Sequence, residues 1–179
     1  MLSLIVIVAL AYCCYSGARR GMWLQFIHVI GYILSLGLAW LTYKPLSVFM
    51  TQWVPYPSAT EQSKFVFFTH QVGLTLDHGF YRGVAFVFML ALGWLATRFV
   101  AMWFHDLTYK TSEQQLSQWV GGAMNFLMGY LFIFLILYLL ALIPVTGIQD
   151  MLAHSAIAGA IVRYTPGLTT LFTHLWIVV

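Results

Sequence analysis

The side chains that could carry acid–base, nucleophilic or metal chemistry are few and widely spaced in this sequence. The six histidines show neither His-x-x-x-His nor Glu-x-x-His spacing, which are the patterns that place two metal ligands on one helix face. The two cysteines, Cys13 and Cys14, are adjacent in an apolar stretch and have no partner elsewhere in the chain. His105 and Asp106 are also adjacent, but no serine elbow or reactive cysteine accompanies them. We therefore expect no catalytic residue, no metal and no cofactor.

Two polar residues, His28 and Asn125, lie inside long apolar segments. Each is about six or seven residues from the predicted cytoplasmic end of its segment, or about 9–10 Å deep at 1.5 Å per residue. At this common depth the two side chains could touch. In one interpretation Asn125 joins helices through a hydrogen bond worth about 1 kcal/mol and His28 is a neutral, satisfied histidine. In the other, the pair handles protons or binds a ligand.

The elements that hold these residues must lie in a membrane. Of 179 residues, 61% are hydrophobic and only 7% are charged, with a mean hydropathy of +0.86. A water-soluble domain needs about a quarter of its residues charged, so this class is excluded and the lipid bilayer is the expected partner. The net charge of +3 comes from scattered cations without a basic run, so nucleic-acid binding is not expected.

Four apolar runs predict an all-α membrane protein with four transmembrane helices in one domain. The runs cover residues 2–17, 22–43, 80–104 and 118–143. The turn Gly17-Ala18-Arg19-Arg20-Gly21 predicts a tight hairpin between the first two helices, because glycine permits the bend. Asp77 is expected to cap the third helix, and Ser112 with Gln115 forms a capping box for the fourth.

The segments outside these spans are too apolar to be ordinary loops. Residues 45–54 repeat apolar side chains at helical spacing, which predicts an amphipathic helix lying in the membrane interface. A second in-plane helix is predicted at 59–72, with a short buried strand as the alternative. Two further interfacial helices are predicted at 147–163 and 168–176, the last at the level of the headgroups.

The distribution of cations predicts the orientation. Lysine and arginine divide equally between the two sides, but Arg19, Arg20, Arg98 and Lys110 are concentrated in two short turns. Because cationic short turns remain in the cytoplasm, we expect both termini outside. Arg19 and Arg20 then either fix the topology or form a cytoplasmic docking site for a partner or a lipid.

Small and polar residues fall on one face of three predicted helices. The residues that define these stripes are His28, Gly31 and Ser35, then Arg82 and Gly93, and then Gly121, Gly122, Asn125 and Gly129. Since lipid tails are as apolar as leucine, membrane helices associate through such residues. We therefore expect the three stripes to face one another in a compact bundle, with Arg82 paired to Asp77 or extended to the interface.

These motifs, in this order, resemble the CvpA, or colicin V production protein, family of bacterial membrane proteins. The resemblance rests on the Gly17–Gly21 turn, the segments 31–39, 80–86 and 121–126, and the tail from His154 to Pro166. It implies a four-span protein of the bacterial cytoplasmic membrane associated with toxin production or export and envelope homeostasis. It also implies that no defined catalytic residues exist.

Two functions remain open. The first is a non-enzymatic scaffold that presents its in-plane helices to its own copies or to an extracytoplasmic partner, which would agree with similar domains being fused to an extracytoplasmic protease. The alternative is an oligomeric pore or exporter gated near His28 and Asn125. A membrane enzyme built on His105 and Asp106 is a third, weaker hypothesis.

Overall fold

A computed structural model of the chain describes residues 1–57, 59–60, 63–69, 73, 76–104, 113–165 and 167–177. Within these ranges every regular element is helical, so the predicted all-α class is confirmed. The elements are α1 (Leu2–Met50), α2 (Leu76–Met102), α3 (Gln114–Ala141), α4 (Thr146–Ala153), α5 (Ala156–Tyr164), α6 (Leu168–Phe172) and a π-helix (Thr173–Ile177).

α1 consists of two helical arms, residues 2–20 and 22–50, joined at Gly21. The φ of 75° and ψ of 172° at this residue are not helical, and glycine adopts such a conformation at little cost. In a straight helix Cys13 and Gln25 would be separated by about 18 Å along the axis, yet both bond the side chain of Asn125. The chain therefore folds back at Gly21.

Three helices, α1, α2 and α3, are long and apolar enough to cross a membrane. The sequence predicts four spans, and the difference arises because the first two predicted spans are the two arms of α1. The arms have 19 and 29 residues, and a crossing requires about 20. Asp77 lies in the first turn of α2, whereas Ser112 of the predicted capping box lies outside the described residues.

The chain forms two compact units. Unit 1 comprises Met1–Val6, Thr42–Val87 and Phe134–Val179, and unit 2 comprises Ile7–Leu41 and Phe88–Ile133. The α1, α2 and α3 helices each contribute residues to both units.

Two predicted in-plane helices of unit 1 differ from the described residues, since 45–50 are helical as predicted but do not form a separate helix, and 59–60 and 63–69 are not helical. Residues 45–50 are the end of α1, which continues through Pro45, and a turn follows at 51–54. Residues 59–60 and 63–69 are neither helix nor strand. In the segment 63–69, the backbone N–H of Val66 donates to the side chain of Gln149, and the carbonyl of Val66 accepts from Arg163. These side chains replace the backbone hydrogen bonds that a helix would supply. The rest of the predicted helix 59–72 lies outside the described residues.

The predicted helix 147–163 is divided into α4 and α5 at Ser155. This residue is the N-cap of α5, and its hydroxyl accepts a hydrogen bond from the backbone N–H of Ala158 at 3.2 Å. Serine is favoured at this position because its side chain satisfies a backbone donor that the helix leaves free. The same hydroxyl also bonds that of Ser3 at 2.8 Å.

An aromatic cluster forms the centre of unit 1. Trp176 is 0% exposed, and its ring centroid lies 5.1 Å from that of Phe172, 5.6 Å from Tyr138 and 5.9 Å from Phe86. The segment 168–176 is helical as predicted, and its placement at the level of the headgroups stays a prediction. The π-helix turns Trp176 inward, where its ring makes edge-to-face and tilted contacts with its aromatic neighbours.

Candidate functional site

In unit 2 the second arm of α1 packs against α2 through small residues. A Cβ atom at Gly31 would overlap Thr97, and one at Gly93 would overlap Ser35. The hydroxyls of Ser35 and Thr97 each donate to the carbonyl four residues earlier in their own helix, at 2.7 Å. Each hydroxyl is therefore satisfied within its helix. Two of the predicted stripes meet here, which agrees with the expectation of faces in contact.

The third stripe meets a face that the sequence analysis did not single out. Gly121, Gly122 and Gly129 of α3 pack on the first arm of α1, where their nearest neighbours are Gly17, Cys14 and Cys13 respectively. A Cβ at Gly121 would lie 2.6 Å from the carbonyl oxygen of Gly17, so two backbones are almost in contact. The available signal was the small residues Cys13, Cys14 and Gly17; the sequence analysis assigned Gly17 to a turn and gave the two cysteines no packing role.

Asn125 joins three helical segments of unit 2. Its amide nitrogen donates to the carbonyl of Cys13 at 2.6 Å, and its amide oxygen accepts from Gln25 Nε2 at 3.1 Å. The predicted contact with His28 is replaced by the contact with Gln25, which is three residues earlier and 0% exposed. Sequence reasoning missed Gln25, although a glutamine inside an apolar span was itself a signal. Its Oε1 is buried without a partner among the described residues.

His28 is buried in unit 2 and bonds its own helix. Its Nδ1 lies 2.9 Å from the carbonyl oxygen of Leu24, and its ring contacts that of Tyr32 edge-on with centroids 6.0 Å apart. A carbonyl can only accept, so Nδ1 carries the proton. This arrangement resembles the satisfied histidine of the first interpretation, while the role of His28 and Asn125 beyond packing remains a prediction.

Beside His28, unit 2 has a groove of about 760 Å³ with a cationic end. We call it the arginine groove, and its lining consists of Arg20, Leu24, His28, Leu92, Leu95, Ala96, Arg98, Phe99, Ala101 and Met102. Arg20 and Arg98 line this groove beside His28, and Arg98 lies 4.7 Å above the ring of Trp94. Arg19 is exposed and does not line the groove. The structure thus distinguishes Arg20, which lines the groove, from Arg19, which does not, although the sequence analysis gave both residues the same role.

In unit 1 Arg82 does not form the predicted pair with Asp77. Its Nη1 donates to the backbone carbonyl of Trp176 at 3.4 Å, while the carboxylate of Asp77 lies 4.0 Å from the ring of His78. Arg82 also lines a pocket of about 360 Å³ together with Lys44 and His78. The guanidinium is positioned by the C-terminal segment, a contact that the sequence analysis did not predict.

Gln149 is the polar centre of the short segments of unit 1. Its amide nitrogen donates to the carbonyls of Ala141 and Ile143, at 3.2 and 2.8 Å, and its amide oxygen accepts from the backbone of Val66 at 3.0 Å. It therefore satisfies carbonyls that the end of α3 leaves free. Arg163 reinforces this contact by donating to the carbonyl of Val66 at 3.2 Å.

Tyr56 connects the turn after α1 to the end of α3. Its hydroxyl donates to the carbonyl of Leu142 at 3.0 Å, and its ring lies 4.8 Å from that of Phe80. Burial, and to a smaller extent the nearby Asp77 carboxylate and Tyr81, raise the pKa of Tyr56 to about 12. The neutral hydroxyl is thus favoured in the folded protein.

The raised pKa predicts a loss of stability in base. Unfolded tyrosine titrates near pKa 10, so the stabilisation from Tyr56 should be complete below about pH 10 and disappear as the pH rises toward about 12. We expect Tyr56→Phe to cost about 1 kcal/mol near neutral pH through loss of the hydrogen bond. The difference between the two proteins should shrink in base. Unfolding in detergent at several pH values measures this, and a constant difference would contradict the assignment.

The described residues show helix-joining polar bonds and two cationic recesses. No group of three His, Cys, Asp or Glu side chains that could hold a metal occurs among the residues that the structure describes. His105, Asp106 and Lys110 lie outside these residues. The arrangement can bind anions through guanidinium groups.

Comparison with known proteins agrees with this architecture. The family model described as colicin V production protein matches residues 2–166. The chain is 30% identical over 177 residues to a protein of Bacillus subtilis (strain 168) named uncharacterized transmembrane protein YshB, covering 98% of this chain and 97% of the relative. No solved structure matches the chain. With its apolar helices and a family match over nearly its whole length, this chain is a membrane protein that belongs to the colicin V production protein family.

Proposed function

We propose that the protein is a non-enzymatic scaffold of the bacterial cytoplasmic membrane, with both termini outside the cell. It holds further copies of itself on the short helices and turns of unit 1. In this role it contributes to toxin production or export and to envelope homeostasis, the processes with which its family is associated. An extracytoplasmic protein partner is the other possible occupant of the same surface.

The observation that carries this proposal is how firmly the short segments of unit 1 are held. Gln149, Arg163 and Tyr56 bond backbone groups of segments that are distant in sequence. These bonds satisfy backbone groups that would otherwise have to be exposed to water or lipid. A surface that is already ordered loses little conformational entropy when it binds a partner.

The ordered surface also exposes large apolar side chains. Trp53 is 71% exposed and Tyr164 is 77% exposed. Apolar and aromatic residues on an ordered surface are typical of protein interfaces. By contrast, the small residues of unit 2 pack against helices of the same chain. They therefore support a helix bundle formed within one chain and not a contact between copies.

Photocrosslinking tests the scaffold. We would place p-benzoylphenylalanine at Trp53, at Tyr164 and, as a control, at Leu41, which is 78% exposed in the second arm of α1. Crosslinks at the mass of two chains are expected from Trp53 and Tyr164, and lipid adducts from Leu41. Lipid adducts at all three positions, together with monomers in native mass spectrometry, would reject the proposal.

One observation favours the alternative of an oligomeric exporter, namely that His28 lines the arginine groove. Asn125, the other predicted gating residue, has both ends of its amide engaged in helix contacts. Flux through liposomes containing the protein would test the alternative. A flux that is unchanged when His28 and Asn125 are both replaced by alanine would count against it.

A further inference from the structure

The arginine groove of unit 2 has the polarity and length of a single lipid. Arg98 is four residues before the end of α2 at Met102, and Leu92 is ten residues before it. At 1.5 Å per residue these positions lie about 6 Å and about 15 Å from the helix end. The hydrocarbon core of one leaflet is about 15 Å thick. With the end of α2 at the membrane surface, the groove would run from near the headgroups to about the bilayer centre.

Its charged end lacks a counter-ion within the described residues. Neither Arg20 nor Arg98 has a carboxylate within salt-bridge distance in the part of the chain that the structure describes. Two guanidinium groups facing the same recess repel each other unless an anion lies between them. Guanidinium groups match a phosphate in geometry, because their parallel N–H donors can bind two oxygens at once.

Apart from His28, the remainder of the groove is apolar. Leu24, Leu92, Leu95 and Phe99 line it together with Ala96. An inorganic phosphate would leave this wall without a partner, and a soluble acidic peptide would have to insert its backbone into hydrocarbon, where unpaired backbone groups are costly. A phospholipid satisfies both parts of the groove at once.

We propose that the arginine groove holds one anionic phospholipid, with its phosphate between Arg20 and Arg98 and an acyl chain along Leu92, Leu95 and Phe99. The lipid comes from the leaflet beside the Arg19–Arg20 turn. This site is independent of the scaffold proposed above, which concerns unit 1. It also gives Arg20 a role that Arg19 does not share.

Native mass spectrometry of the full chain released from nanodiscs tests this site. The nanodiscs would contain equal amounts of phosphatidylglycerol and phosphatidylcholine. The wild type is expected to retain one phosphatidylglycerol in preference to phosphatidylcholine. Arg20→Gln and Arg98→Gln should each reduce that retention about tenfold, since a charge-assisted hydrogen bond to phosphate is lost. Arg19→Gln, the matched control, should change it less than about twofold because it removes only a general surface attraction.

Two more variants separate recognition from folding and from general charge. Ala96→Trp keeps every cation but fills the groove, so retention should fall as it does in Arg20→Gln while the helical circular dichroism is unchanged. Arg20→Lys should restore retention only in part, because lysine cannot bind two phosphate oxygens at once.

The outcomes that would overturn the proposal are distinct. Equal losses in Arg19→Gln and Arg20→Gln would indicate nonspecific attraction to an anionic surface. Displacement of the lipid by inorganic phosphate would assign the site to a soluble anion. Retention of a peptide in place of lipid would assign it to a protein partner. Equal retention of the two lipids would mean that Arg20 and Arg98 do not select an anionic lipid.

Discussion

Replacing Trp176 with alanine is expected to destabilise the protein by about 3 kcal/mol, because it empties the centre of the aromatic cluster. The indole is 0% exposed and contacts the rings of Phe86, Tyr138 and Phe172. Gly83 lies close enough that a Cβ there would be 3.0 Å from two ring carbons of Trp176. Surroundings this closely packed cannot collapse into the space left by the ring, so a cavity remains.

The cost should be lower than in a soluble protein for two reasons. The unfolded chain stays in contact with lipid, so the loss is one of packing more than of transfer to water. The indole N–H is also buried without a partner among the described residues, and the substitution removes that penalty. Trp176→Phe, which keeps a ring but removes the donor, is accordingly expected to cost less than about 1.5 kcal/mol.

Unfolding in a series of detergent mixtures, followed by circular dichroism, measures these differences. Trp119→Ala is the matched control, because Trp119 is 79% exposed and such a change is expected to cost no more than about 0.5 kcal/mol. Equal effects at the two positions would mean that the C-terminal segment does not pack as described.

Gly121→Ala is the second substitution with a large expected effect, a net loss of about 2–3 kcal/mol. The new Cβ would lie 2.6 Å from the carbonyl oxygen of Gly17 and 3.1 Å from the carbonyl carbon of Gly21. Both neighbours are backbone atoms, which cannot rotate away as a side chain would. The first arm of α1 would have to move away from α3. Asn125, one turn further along α3, would then lose its hydrogen bond to the carbonyl of Cys13.

Gly37→Ala provides the matched control, since a Cβ there meets no atom within 4 Å. Alanine is favoured over glycine in a helix by about 1 kcal/mol, so this variant should be as stable as the wild type or more so. The same unfolding measurement compares the two. If Gly121→Ala proves as stable as Gly37→Ala, the close approach of the two backbones is incorrect.

The positions of the stripe residues show what periodicity can predict. At 100° per residue, sequence spacing places Gly31 and Ser35 on one face of a helix, and it does the same for Gly121, Asn125 and Gly129. Two stripes do meet, since Gly31 and Ser35 pack on the face of α2 that contains Gly93. Periodicity gives the direction of a face but not the helix that covers it. The contact of α3 with Cys13 and Gly17 was missed for this reason.

The short segments of unit 1 were predicted less well than the spans. Gln149 lies in the polar part of an amphipathic pattern, yet it is 3% exposed and bonds backbone groups of two other segments. The same pattern was predicted for Pro45 to Val54, where α1 continues instead as far as Met50. In a short helix, one hydrogen bond to a distant segment outweighs the small preference that an amphipathic pattern supplies.

The sequence by itself determined that the chain lies in lipid, the helical class, the apolar segments and the region Gly17–Gly21 in which α1 reverses, while the structure places the reversal at Gly21. These depend on composition and local backbone freedom, which act without reference to the rest of the chain. Only the tertiary structure decided that Asn125 bonds Gln25, that Trp176 is buried and that Arg20 rather than Arg19 lines a groove. Each of these depends on residues far apart in sequence being brought together, and a one-dimensional pattern does not contain that information.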